Sequence, residues 1–67
     1  MAKIQLNGSK LELKNKHTLL MLLKKYKIDN KKIAIELNGQ IINRNKYESI
    51  YIKNKDKIEI VHFIGGG

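Results

Sequence analysis

The sequence predicts an α+β domain: a mixed sheet of four to five strands with one main helix packed on one face. Three observations carry this expectation. Apolar and polar residues alternate near both ends of the chain, the period of half-buried strands. One stretch between them switches to helical spacing. Two Asn-Gly pairs, Asn7-Gly8 and Asn38-Gly39, stand where alternating segments would have to reverse.

The first strand is read from Ala2, Ile4 and Leu6, which alternate with Lys3, Gln5 and Asn7. Asn7-Gly8 is a type I′ hairpin signal, since both residues tolerate positive φ. Leu11 and Leu13, among Lys10, Glu12 and Lys14, form the second strand. Thr18 then offers a hydroxyl to cap a helix. Leu19, Leu22, Leu23 and Tyr26 make one apolar stripe, and Lys24, Lys25 and Lys27 fill the last turn, where positive charge complements the helix dipole. Asp29-Asn30 is expected to end the helix. Leu20 and Met21 fall off the stripe, as its margin or as an apolar pair for a partner.

Ile33, Ile35 and Leu37 give a third strand, and Gln40 to Ile42 a short return after Asn38-Gly39. Residues 44–56 show no clean period. Tyr47, Ile50 and Ile52 are anchors there, and Asn54-Lys55-Asp56 reads as a turn. Ile58 and Ile60 open a last strand that Ile64 closes. With strands on both sides of one helix, the first and last strands are expected to pair in parallel, joined by a right-handed crossover. That is the β-grasp, or ubiquitin-like, arrangement. The expected division is a domain over 1–64 and a flexible glycine tail over 65–67.

Composition narrows the function. The chain has 67 residues and no cysteine, which leaves room for one domain and none for a disulfide or thiolate metal site. No apolar run is long enough to span a membrane, and the start does not read as a signal peptide, so a cytoplasmic place is expected. The net charge of +8 would suit an anionic partner such as nucleic acid. However, 13 of the 14 basic residues are lysine, beside abundant Asn and Ile. That pattern is read instead as the bias of an AT-rich genome, and nucleic acid is not the expected partner. His17 and His62 stand apart, without a carboxylate cluster, and read as surface or edge residues. Ser9 and Ser49 have no evident base partner. No glycine-rich loop joins strand to helix, so no phosphate cradle is expected and no bound cofactor.

Chemistry is left to the end of the chain. Gly65, Gly66 and Gly67 follow directly on the sheet-forming run Ile60-Val61-His62-Phe63-Ile64. A stiff strand would aim such a tail, and residues without a Cβ keep it thin. Three extended residues reach about 10 Å. The tail could thread a narrow channel and set the Gly67 carboxylate beside the α-phosphate of ATP. Adenylation would supply a leaving group, and a sulfur nucleophile displacing AMP would leave a thiocarboxylate. A protein holding sulfur in that way needs no thiol of its own and is a substrate of enzymes. If Ile58 and Ile60 face the core, Val61 and Phe63 face away from it. That pair is either a docking patch or a face covered within the domain.

The order of these pieces resembles the ThiS family, the sulfur carriers of thiamine thiazole synthesis. The resemblance covers the whole chain. It runs through the opening strand and Asn7-Gly8 turn, Thr18-Leu19 with Leu22-Leu23, and Ile35-Glu36-Leu37-Asn38-Gly39-Gln40-Ile41-Ile42-Asn43-Arg44. Tyr47 stands where an aromatic is usual, and Asp56-Lys57-Ile58-Glu59-Ile60-Val61 leads to the terminal glycines. The resemblance implies a ThiF-like adenylating enzyme that uses ATP, a cysteine desulfurase relay, and a ThiG-like thiazole synthase as partners. It makes Gly67 the acyl carrier and Gly66 the second glycine of the pair. Carriers for molybdopterin or other sulfur pathways share the ending and remain alternatives, as does a small basic nucleic-acid-binding module. Two features depart from the family: its usual Gly-Asp turn reads Lys55-Asp56, and its members are often acidic.

Overall fold

The computed structural model describes residues 1–62. The chain runs through β1 (Ala2–Leu6), β2 (Ser9–Leu13), α1 (Leu19–Lys25), β3 (Ile33–Leu37), β4 (Gln40–Ile42), a 3-10 turn (Arg44–Lys46) and β5 (Lys57–His62). The five strands form one mixed sheet in the order β2-β1-β5-β3-β4. β1 and β5 pair in parallel at its centre, and the other pairs are antiparallel. This is the β-grasp expected from the sequence.

The two hairpins use the backbone angles that Asn-Gly permits. Asn7 and Gly8 have φ of 50° and 82°, and Asn38 and Gly39 have 52° and 86°. Alternation then sorts the side chains. Ile4, Leu13, Ile33, Ile35, Ile58 and Ile60 are buried with Leu19, Leu22 and Leu23 of α1 in one core. The three leucines have no exposed surface at all. Burying a side chain of that size contributes roughly 1.5–3 kcal/mol.

Thr18 caps α1 as expected. Its hydroxyl accepts the Met21 N–H at 3.1 Å, and its own N–H donates to the Met21 thioether at 3.5 Å. The reciprocal arrangement is that of a capping box, with sulfur where a Glu or Gln side chain is usual. Met21 is therefore exposed but occupied locally, and Leu20 packs at the margin of the core. The far end of the helix differs from expectation. α1 stops at Lys25, Tyr26 is its exposed C-cap, and Lys27 takes φ of 56° beyond it. Tyr26 thus does not extend the buried stripe. Asp29-Asn30 lies past the helix, where Asp29 accepts the Lys31 N–H at 2.9 Å.

Residues 44–56 are held to the start of α1 by long-range bonds. The N–H groups of Leu19, Leu20 and Ile52 donate to the carbonyls of Ile50, Tyr47 and His17. Tyr47 is buried, and its hydroxyl accepts the Ile35 N–H at 3.2 Å. The Asn54-Lys55 turn closes because Lys55 itself takes φ of 73°. The lysine thus adopts the left-handed angle that glycine would hold at less cost.

Candidate functional site

β5 carries the chain toward its glycines, so the site is built from what holds this strand. Ile58 and Ile60 are its core anchors. At its start, the Lys57 N–H donates to Asn38 Oδ1 and the Lys57 carbonyl accepts the Asn38 N–H, both at 2.8 Å. The Asn38 amide then donates to Asp56 Oδ1 at 3.0 Å, while Asp56 Oδ2 accepts the Lys53 N–H at 2.7 Å. Three strands farther back in sequence, Asn7 Oδ1 accepts the Ile60 N–H at 2.7 Å. Both turn asparagines therefore serve β5 as well as their own hairpins. The Asn-Gly pairs were readable as turns, but only the tertiary arrangement shows these second roles. A signal was present in the choice of Asn over Gly or Asp, since its amide accepts and donates without charge.

Val61 stands with its side chain on the face turned away from the core, 49% exposed, opposite Ala34 in the register. In the next row of that face, Glu59 lies opposite Glu36, and Glu36 opposite Ile41, which is 76% exposed. Like charges directly opposite in an antiparallel pair cost a few tenths of a kcal/mol to about 1 kcal/mol. Two of the six acidic residues of a strongly basic chain thus meet at the middle of β5. Four of the 13 lysines gather elsewhere. A groove of about 730 Å³, lined by Lys3, Lys10, Lys55 and Lys57 among others, lies at the start of β5 and not at its exit.

Of the sequence-expected site residues, Val61 is placed on an open face. Phe63, Gly65, Gly66 and Gly67 lie outside the described residues, as do Ile64 and the 64/65 domain boundary. His17 Nδ1 donates locally to the Asn15 carbonyl, 2.7 Å away. Among the described residues no group of three metal-ligating side chains comes together. No helix among them is long and apolar enough to cross a membrane.

A sequence model of the ThiS family matches residues 3–67. The chain belongs to the ThiS family. It is 40% identical over 65 residues to the sulfur carrier protein ThiS of Bacillus subtilis (strain 168), covering 96% of this chain and 98% of that one. It is also 35% identical over 65 residues to a thiazole synthase of Paramagnetospirillum magneticum, where the match takes up 20% of the longer protein. The crystal structure of the thiamine biosynthesis protein ThiS from Geobacter metallireducens superposes with a TM-score of 0.83 at 25% identity, covering 97% of this chain and 99% of that one. The family shares the mixed sheet and single helix described above.

Proposed function

We propose that this chain is a sulfur carrier for thiamine biosynthesis, working through the carboxylate of Gly67. Membership of the ThiS family and near full-length similarity to a protein named as a sulfur carrier are the main support. The carrier is a substrate of enzymes and needs no catalytic groups of its own. A ThiF-like enzyme is the first partner. One oxygen of the Gly67 carboxylate attacks the α-phosphorus of ATP, and pyrophosphate leaves. The outer sulfur of a persulfide on a cysteine desulfurase relay then attacks the acyl carbon, and AMP leaves with the original oxygen. A partner thiol cleaves the resulting acyl disulfide, leaving a disulfide on the partner. The C–S bond formed is the thiocarboxylate, whose sulfur passes to thiazole synthase.

The choice of thiazole synthase as acceptor has its own support. A segment similar to this chain occupies a fifth of the P. magneticum thiazole synthase. Carrier-like and synthase sequences are thus joined in one polypeptide there, an arrangement suited to repeated transfer between them. ATP is used by the activating partner, and the carrier itself binds no cofactor. Gly65 and Gly66 are the residues that thread the partner's channel. Val61 and Phe63 are the docking pair beside it, with Glu36, Glu59 and Ile41 extending the patch from Val61. We place the chain in the cytoplasm with these enzymes.

Intact-mass measurement tests the reading. Incubation with the cognate activating enzyme, ATP and sulfide should raise the mass by the difference between sulfur and oxygen. Deleting Gly67 should abolish that gain. An unchanged mass with an active cognate enzyme would reject the carrier function.

A further inference from the structure

The two edges of β5 stop at different places. Toward β3 the ladder runs to Ile33 opposite His62. Toward β1 the parallel register ends at Leu6 opposite Ile58, followed by the Asn7 N–H donating to the Ile58 carbonyl at 2.9 Å. A continuing parallel ladder would next take the Ile60 N–H to the main chain of residue 7. The side chain of Asn7 receives it instead. Asn7 therefore supplies one substitute rung and ends the pairing.

Main-chain groups alternate in direction along a strand. Lys57, with Glu59 and Val61 in step with it, bonds toward β3, and Ile58 and Ile60 bond toward β1. The groups next in line on the β1 side are the Ile60 carbonyl and the His62 N–H. Among the described residues, no strand lies beside them and no loop backbone reaches them. His62 is exposed, and a Cβ placed on Gly8 of the adjoining turn would meet nothing within 4 Å. Among the described residues this edge is unpaired, and it is exposed at His62.

We propose that this short edge receives an added strand from the enzyme that grips the tail, bonded to the Ile60 carbonyl and the His62 N–H. The proposal rests on the carrier reading. Position argues for this occupant: His62 is five residues from Gly67 on the same strand direction. Five extended residues span at most about 17 Å, so an enzyme that holds Gly67 lies within that reach of residue 62. Main-chain bonding supplies attachment that is indifferent to side chains, and the adjacent exposed Val61 supplies an apolar contact on the neighbouring face.

The chain is short enough to synthesise, which permits a change confined to one atom. Replacing the amide nitrogen of His62 by an ester oxygen removes the donor and leaves the β3 ladder intact. Binding to the activating enzyme should weaken about five- to tenfold, the effect of one lost backbone hydrogen bond. His62→Pro removes the same donor in recombinant protein, at a position where the N–H points away from the β3 ladder and proline is tolerated. In hydrogen exchange, the His62 amide of the unaltered chain should be unprotected alone and protected in the complex. Ester and native chains binding within twofold of each other, or an amide left unprotected in the complex, would overturn the proposal. If the native chain still gains sulfur in that case, the carrier reading stands. A native chain that neither gains sulfur nor binds the enzyme removes both.

Discussion

Asn7-Gly8 and Asn38-Gly39 are the same dipeptide with φ angles within a few degrees of each other, yet they hold β5 differently. Asn38 meets the start of the strand with three bonds: its N–H to the Lys57 carbonyl, its side-chain oxygen from the Lys57 N–H, and its amide to Asp56. Asn7 meets the later part with two: its N–H to the Ile58 carbonyl and its side-chain oxygen from the Ile60 N–H. Asn38 extends a network that also fixes the Lys53–Asp56 turn. Asn7 stands at the end of pairing, with no strand beyond it on that side among the described residues. Identical local chemistry thus anchors one end of β5 and leaves the other end next to open edge.

The contrast can be broken by substitution. Asn38→Ala places a Cβ-bearing residue without a capping amide at positive φ and removes two side-chain bonds. Urea denaturation should show a loss of about 2–3 kcal/mol. Asn7→Ala should lose about 1–2 kcal/mol, since one side-chain bond disappears. Its exchange pattern sharpens the comparison, because the Ile60 amide should lose protection while Lys57 keeps it. A uniform loss along β5 would show that the two asparagines do not act on separate ends. Asn7→Gly keeps the turn angle and deletes only the cap, so the cost should fall to about 1 kcal/mol. Lys55→Gly relaxes the strained turn beside Asp56 and should raise stability by about 0.5 kcal/mol, read as a small rise in thermal midpoint. A fall would mean that the lysine side chain carries a contact outweighing its backbone strain.

These residues also show what could be read in advance. Strands β1 to β4 were legible because alternation and Asn-Gly turns are local signals that agree with each other. The helix end was not. Lys27 ends it at positive φ without glycine, so no breaker stands in the sequence, and Tyr26 continues the spacing of the stripe while pointing outward. Residues 44–56 were opaque for another reason. Their shape is set by bonds to His17, Leu19 and Leu20, far away along the chain, and periodicity carries no trace of them. At the site, Val61 could be placed on the outer face from alternation alone. The capping role of Asn7, the Glu36–Glu59 pairing and the open edge depend on register, which a single strand does not reveal.

The centre of the sheet is its last strand in sequence, and this has a consequence for synthesis of the protein. β5 lies between β1 and β3 and contributes the buried Ile58 and Ile60. A chain halted by a translation error before those residues has two separate hairpins and a helix, with no strand to join them. Isolated hairpins are at best marginally stable in water. Such fragments would stay open to proteases, so survival in the cell selects polypeptides that have been read through the middle of the sheet.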